Sequence, residues 1–353
     1  MLTWLLLCLP LALAADKDAF ATWVDRLPHP STELDVADGY RFQHQVFGEI
    51  AEAVAESPGL VEVESIGTTH ANRPIWAFHV TEYTRPVERK VLVFAGIHAL
   101  EWISTEVATS LLVDLIAHPV EGTAVTVIPI LNPDGRVKVE GDLAEGVLRY
   151  RRGNLPNVDL NRDFAVNSEA KALWKAFLPG YYATSTEPLS QPETRALDAL
   201  AARECYARAA SLHAFGGFLY YPWSGRWQRP PHRKQFVELG RAMEKAQGSR
   251  AYKTRQLARW GFFFRAQGSE IDHLYGRYGT RAFLVELTRS GIRPFRPKTW
   301  RNKYRWYNPV DPAPHVSQGL EAMRALIHHP PLPDEPSGAA CGPPLPDAAP
   351  LGP

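Results

Sequence analysis

The sequence predicts an α/β fold: a three-layer α/β/α sandwich with helices on both faces of a mixed, mostly parallel twisted sheet. Two observations carry this expectation. Runs at 91–97, 124–131 and 281–287 are almost wholly apolar, without the alternation of a strand that has one face in water, so each reads as a strand buried on both faces. Between the first two lies a helical stretch, 101–118. Strand, helix, strand with fully apolar strands implies parallel pairing and a helix packed on the sheet. Sites in such sheets form beyond the carboxyl ends of the strands.

Each element then follows in order. Residues 16–40 are polar and carry Pro28 and Pro30, which reads as a lead-in segment outside the core. Phe42, Val46, Phe47, Ile50 and Val54 recur at helical spacing, and Ser57-Pro58-Gly59 stops that helix. Strands are expected at 60–66 and 74–80 as a hairpin leading into the central strand 91–97. Asn132-Pro133-Asp134-Gly135 reads as a strong turn, and 135–164, polar and without period, as a long functional loop. A helix from Pro192 has Pro in its first turn and Glu193 beside it. Residues 206–212 lead into His213, and 218–221 form a strand ended by Pro222. A surface helix (230–248), a long segment with glycines at 261, 268 and 276, the strand 281–287 and a closing helix (316–327) complete the domain. The Pro-, Gly- and Ala-rich stretch 329–353 reads as a disordered tail.

Met1 to Ala14 is apolar, ends in Ala-Leu-Ala and is followed by polar residues, the pattern of a secretory signal too short to span a bilayer. The expected organisation is therefore a signal at 1–14, one catalytic domain at 15–328 and the tail, in a secreted or periplasmic protein. Once Cys8 leaves with the signal, Cys205 and Cys341 remain, and a disulfide between them is neither required nor excluded. Of the 353 residues, 45% are hydrophobic and 22% charged, with a formal net charge of +1. That is ordinary globular composition, and it offers no electrostatic case for nucleic acid or an anionic membrane.

The chemistry gathers at strand ends. His98 and Glu101, three residues apart at a strand-to-helix junction, can converge on one cation. A third ligand must come from elsewhere, and His213 after the alanine-rich run is the candidate. The three would form a two-histidine, one-carboxylate site with an open fourth position. Glu286 stands in an apolar strand, where a carboxylate is costly unless it has work to do or a partner. It is either a general base or half of an ion pair with an arginine such as Arg289.

These residues sit in motifs that occur together: H-A-L-E-W-I-S from His98, L-N-P-D-G at 131–135, Y-R-R at 150–152, V-D-L-N-R at 158–162, Q-P-E-T at 191–194, H-A-F-G-G-F-L-Y-Y-P-W at 213–223 and F-L-V-E-L at 283–287. In this order, over roughly 36–327, the chain resembles the zinc carboxypeptidases of the carboxypeptidase A and B type. The resemblance implies one Zn2+ per chain, held by His98, Glu101 and His213, with Asp159 orienting the first histidine; alternatively, Asp159 simply caps a turn. It implies Glu286 as the base that deprotonates water and passes the proton to the leaving amine. Arg151 would stabilise the oxyanion, the Y-R-R register favouring it over Arg152. Asn161 and Arg162 would hold the substrate's terminal carboxylate, a guanidinium fork matching its two oxygens.

Two positions depart from the family pattern. Phe264 stands where the family has a mobile tyrosine. Ile271 occupies the floor of the side-chain pocket, which favours neutral apolar C-terminal residues, with Glu270 and Arg259 near enough to alter that. The twenty or so residues between signal and first motif leave no room for an inhibitory prodomain, so a constitutively active enzyme is expected. The substrate is then a peptide with a free C-terminal carboxylate, and the enzyme a monomer. Two other readings use the same scaffold: a peptidase cutting D-amino-acid or γ-glutamyl bonds of cell-wall peptides, and a non-catalytic binding protein.

Overall fold

The computed structural model describes residues 16–29, 39–169, 187–260, 265–289, 301–337 and 340–345. The expected signal and Phe264 lie outside them. Eight strands, β1 (Val61–Thr68), β2 (Pro74–Val80), β3 (Arg89–Phe94), β4 (Thr123–Ile128), β5 (Arg208–Ala214), β6 (Phe218–Tyr221), β7 (Lys253–Gln256) and β8 (Arg281–Leu287), form one sheet in the order β1-β2-β4-β3-β5-β8-β6-β7. The four middle strands β4, β3, β5 and β8 are mutually parallel. Antiparallel pairings at β1/β2, β2/β4 and β6/β8 make the sheet mixed.

Nine helices accompany it among the described residues: α1 (16–24), α2 (Gln43–Glu56), α3 (Trp102–Ala117), α4 (Pro133–Ala144), α5 (Pro192–Glu204), α6 (Arg233–Ala246), α7 (Glu270–Tyr278), α8 (Lys303–Tyr307) and α9 (Ala313–His328). None of the described helices is long and apolar enough to cross a membrane. The apolar character of the middle strands follows from the layers. Val91 and Val93 enter one core with residues of α2, α3, α6 and α9. Leu92 and Phe94 enter a second core with residues of α5 and α7. Alternation within a strand thus distributes side chains between two dry faces.

Three expectations fail, each for a local reason. The turn at Asn132-Pro133-Asp134-Gly135 is the start of α4: the Asn132 side chain accepts from the Gly135 N–H, Pro133 takes the first helical position and Asp134 lies in the first turn. Those residue types favour helix starts as much as turns, so the expected long loop begins as a helix. The lead-in segment contains α1, whose Phe20 is buried against Phe47, Trp76 and Phe78.

The tail, finally, is structured through most of 329–345. Fully buried Arg208, at the start of β5, donates to Glu335 Oε1 and Oε2 at 2.7 and 3.0 Å and to the carbonyls of Leu326, His329 and Pro330. Arg89 holds the carbonyls of Ile327 and His329, and Arg281 that of Asp334. A Cys205–Cys341 disulfide ties the tail to the end of α5. Composition suggested disorder because the groups that order this segment are arginines remote in sequence.

Candidate metal centre

The strand β3 leaves the sheet at Phe94 and turns through Gly96, whose φ of +64° and whose approach to the Ile130 backbone (3.1 Å for an added Cβ) require glycine. His98 follows, and Glu101 occupies the position before α3 without a side-chain capping hydrogen bond. His213 lies in β5 and is the register partner of Glu286 in β8. Parallel pairing therefore sets the third expected ligand and the expected base side by side at the carboxyl edge.

His98, Glu101 and His213 are buried, and one ligand atom from each lies within 4.8 Å of the others. The His98 Nδ1 is 2.9 Å from Glu101 Oε1 and 3.0 Å from His213 Nδ1, which in turn is 3.2 Å from Glu101 Oε2. The far nitrogens both face carboxylates: His98 Nε2 lies 3.0 Å from Asp159 Oδ1, and His213 Nε2 lies 3.0 Å from Glu270 Oε1. An ionised carboxylate only accepts, so both Nε2 atoms carry hydrogens in the neutral rings. Two Nδ1 lone pairs and a carboxylate then point at one another, an arrangement that a positive charge between them, a metal ion or a proton, satisfies. The donors are those of a mononuclear zinc site.

The same place attracts a proton: burial disfavours a charged His213, yet Glu101 and Glu270 overcome it and raise its pKa to about 10. Burial also opposes the charge on Glu101, but the positive charge drawn to His98 and His213 holds its carboxyl well below the usual range. Glu286 goes the other way: burial, reinforced by the charge of Glu101, pushes it up to about 8. Its Oε2 is buried without a hydrogen-bond partner. Glu286 borders a cleft of about 370 Å³ lined otherwise by Phe215, Gly216, Phe218, Tyr220, Leu257 and Trp260.

The two arginines of Y-R-R, of which Arg151 is the expected oxyanion residue, take different directions. Arg151 turns away and forms a two-pronged pair with Asp142 of α4, Nε to Oδ2 at 2.5 Å and Nη2 to Oδ1 at 3.0 Å. Arg152 reaches the centre: Nε donates to Asp159 Oδ2 at 2.8 Å and Nη1 to Glu101 Oε1 at 3.2 Å. Its own carbonyl accepts from the Ala99 N–H, which pins Arg152 beside the ligand loop and sends its neighbour to the opposite side.

Asn161 and Arg162 occupy a short 3-10 turn capped by Asp159, which accepts from the Asn161 N–H while holding His98. Both readings of Asp159 thus describe the same side chain. Gly268 (φ +56°) presses against the Arg162 carbonyl so closely that a Cβ would stand 2.6 Å from it, fastening this turn to the segment before α7. Ile271 is fully buried in the core beneath α7 and is not among the residues lining the cleft. Glu270, considered from the sequence only for its effect on specificity, lies against the far nitrogen of His213. Its position beside a glycine-serine pair at a helix start was the only signal available.

The buried two-histidine, one-carboxylate cluster at the carboxyl edge of a mixed α/β sheet is a site that could hold a zinc-type ion. A family model described as zinc carboxypeptidase matches residues 48–306, and the chain belongs to that family. Mouse carboxypeptidase A2 is 23% identical over 275 residues, covering 72% of this chain and 64% of the relative; the chain thus spans just under two thirds of that protein. An inactive metallocarboxypeptidase, ecm14, of Talaromyces stipitatus is 25% identical over 249 residues, covering 62% of this chain and 41% of the relative. Among solved structures, bovine thrombin-activatable fibrinolysis inhibitor in complex with tick carboxypeptidase inhibitor superposes with a TM-score of 0.67 at 19% identity, covering 82% of this chain and 97% of that one. That likeness is one of fold.

Proposed function

We propose that the protein is an active zinc metallocarboxypeptidase that hydrolyses the last peptide bond of peptides and preferentially releases neutral apolar residues. The observation that carries the reading is the convergence of His98 Nδ1, His213 Nδ1 and Glu101 beside the half-buried Glu286, whose Oε2 is buried and unpartnered. Zinc at this site supplies a Lewis acid for the carbonyl oxygen and makes water more acidic.

The chain's own residues do the rest. Glu286 accepts the proton of the attacking water and returns it to the leaving amine. Arg152 donates to the carbonyl oxygen as it turns negative, a contact strongest in the transition state. Asn161 and Arg162 receive the terminal carboxylate and so restrict cleavage to the chain end. The aromatic and aliphatic lining of the cleft supports the preference for apolar residues. The disulfide supports export to an oxidising compartment, in keeping with the apolar run at the N-terminus.

The test is release of C-terminal residues from a panel of N-blocked dipeptides, with and without a chelator. Chelator-sensitive release of apolar residues is expected. No release of any residue by the zinc-loaded protein would overturn the reading in favour of a non-catalytic role; the Talaromyces relative is itself named an inactive metallocarboxypeptidase.

A further inference from the structure

The two metal-facing histidines are held alike, although only one of the arrangements is visible from motif order. On His98 the far nitrogen meets Asp159. On His213 the far nitrogen meets Glu270 Oε1 at 3.0 Å and Ser211 Oγ at 2.8 Å. Glu270 is fully buried at the first position of α7, where the positive end of the helix favours a carboxylate. Its second oxygen accepts from Ser269 Oγ at 3.1 Å, and its backbone N–H donates to Asn161 Oδ1 at 3.3 Å. A fully buried carboxylate persists only when its oxygens are engaged, and here the engagement points at the metal ligand and away from the cleft, whose lining does not include Glu270.

We propose that Glu270 is a positioning residue of the metal centre: it fixes the ring of His213 so that Nδ1 faces the ion, and it links that ring to the Asn161 turn. The inference rests on the zinc-site reading above. It also replaces the expectation that Glu270 adjusts selectivity for the C-terminal side chain. Because orienting carboxylates strengthen the ligand they hold, removing one weakens metal binding by about 10–100-fold. The loss is common to all substrates.

The experiment measures zinc affinity of the full chain by competition with a chromophoric chelator, together with the visible spectrum of the cobalt-substituted protein. Glu270→Ala is expected to weaken zinc binding by about 10–100-fold and to alter the cobalt bands. Glu270→Gln, which keeps an oxygen acceptor for Nε2–H without the charge, is expected to lose less. Across the dipeptide panel, kcat/KM should fall by one common factor. Unchanged zinc affinity in Glu270→Ala, or a loss confined to one class of C-terminal side chain, overturns the proposal. Should Glu270→Ala not fold, Glu270→Gln decides: weaker zinc binding with altered cobalt bands supports it, and wild-type values for both overturn it. Failure of the wild-type chain to bind zinc would bring down the metal-centre reading itself, an outcome distinct from failure of the Glu270 assignment alone.

Discussion

The strands β3, β5 and β8 end in opposite ways. Beyond and at their carboxyl ends stand His98, His213 and Glu286; at their amino ends stand Arg89, Arg208 and Arg281. At the arginine end nearly every donor is used: all five N–H groups of Arg208 are engaged by Glu335 and three carbonyls, and only the Nε of Arg89 lacks a partner. At the histidine end, lone pairs face one another across 3.0 Å and a carboxylate oxygen is left without a hydrogen bond. Both ends bury charge, which is expensive in either case. One end recovers the cost within the chain, and the other leaves its groups to a cation and a substrate.

If this contrast is right, substitutions at the two ends have different readouts. Glu286→Gln should lower kcat by about 10²–10⁴-fold, the usual worth of a positioned general base, while zinc content by metal analysis stays at the wild-type level. Its melting temperature should match or exceed the wild type, since an unsatisfied carboxylate is removed; loss of zinc instead would mean that Glu286 holds the metal. Arg152→Ala should cost about 10²–10³-fold in kcat, whereas Arg151→Ala, which loses only the pairing with Asp142, should remain within a few-fold. Steady-state kinetics showing the reverse order would bear out Arg151, the residue expected from the Y-R-R register.

At the opposite end, Glu335→Ala strands a buried guanidinium. It should destabilise the fold by about 3–5 kcal/mol in denaturant titration, with kcat per folded molecule unchanged. A fall in kcat without a fall in stability would break the distinction between the two ends. The smallest effect belongs to a control remote from both. A hydrogen bond from His79, aided by Arg203 against the opposing effect of burial, lowers Glu64 from its ordinary 4.5 to about 2. A depressed acid contributes stability above its unfolded pKa and loses it as pH falls toward the folded value. Melting temperatures of Glu64→Gln and wild type should therefore differ at neutral pH and converge between about pH 4.5 and 2.

The central strands were legible because burial on both faces leaves an unbroken apolar run, and α2 and α9 because their buried residues repeat at helical spacing. His98 and Glu101 were legible as a pair because three residues span one turn. The two-sided role of Asn132 and Pro133 was not, because the same residues start turns and helices. Nor was α1, in which a few aromatic residues in a polar stretch gain their meaning from Trp76 and Phe78 on a distant strand.

Local pattern by itself therefore determined the layers, the strand ends at which chemistry could gather, and the residue types that could bind a metal. The order of motifs added the family. Tertiary structure alone decided which of several near-equivalent groups meet: Arg152 and not Arg151 against Glu101, Glu270 against His213, and a tail ordered by Arg208. In each case the deciding partner lies on another element. The direction in which a charged side chain turns depends on which unsatisfied group it meets, and that meeting exists only once the sheet has brought the elements together.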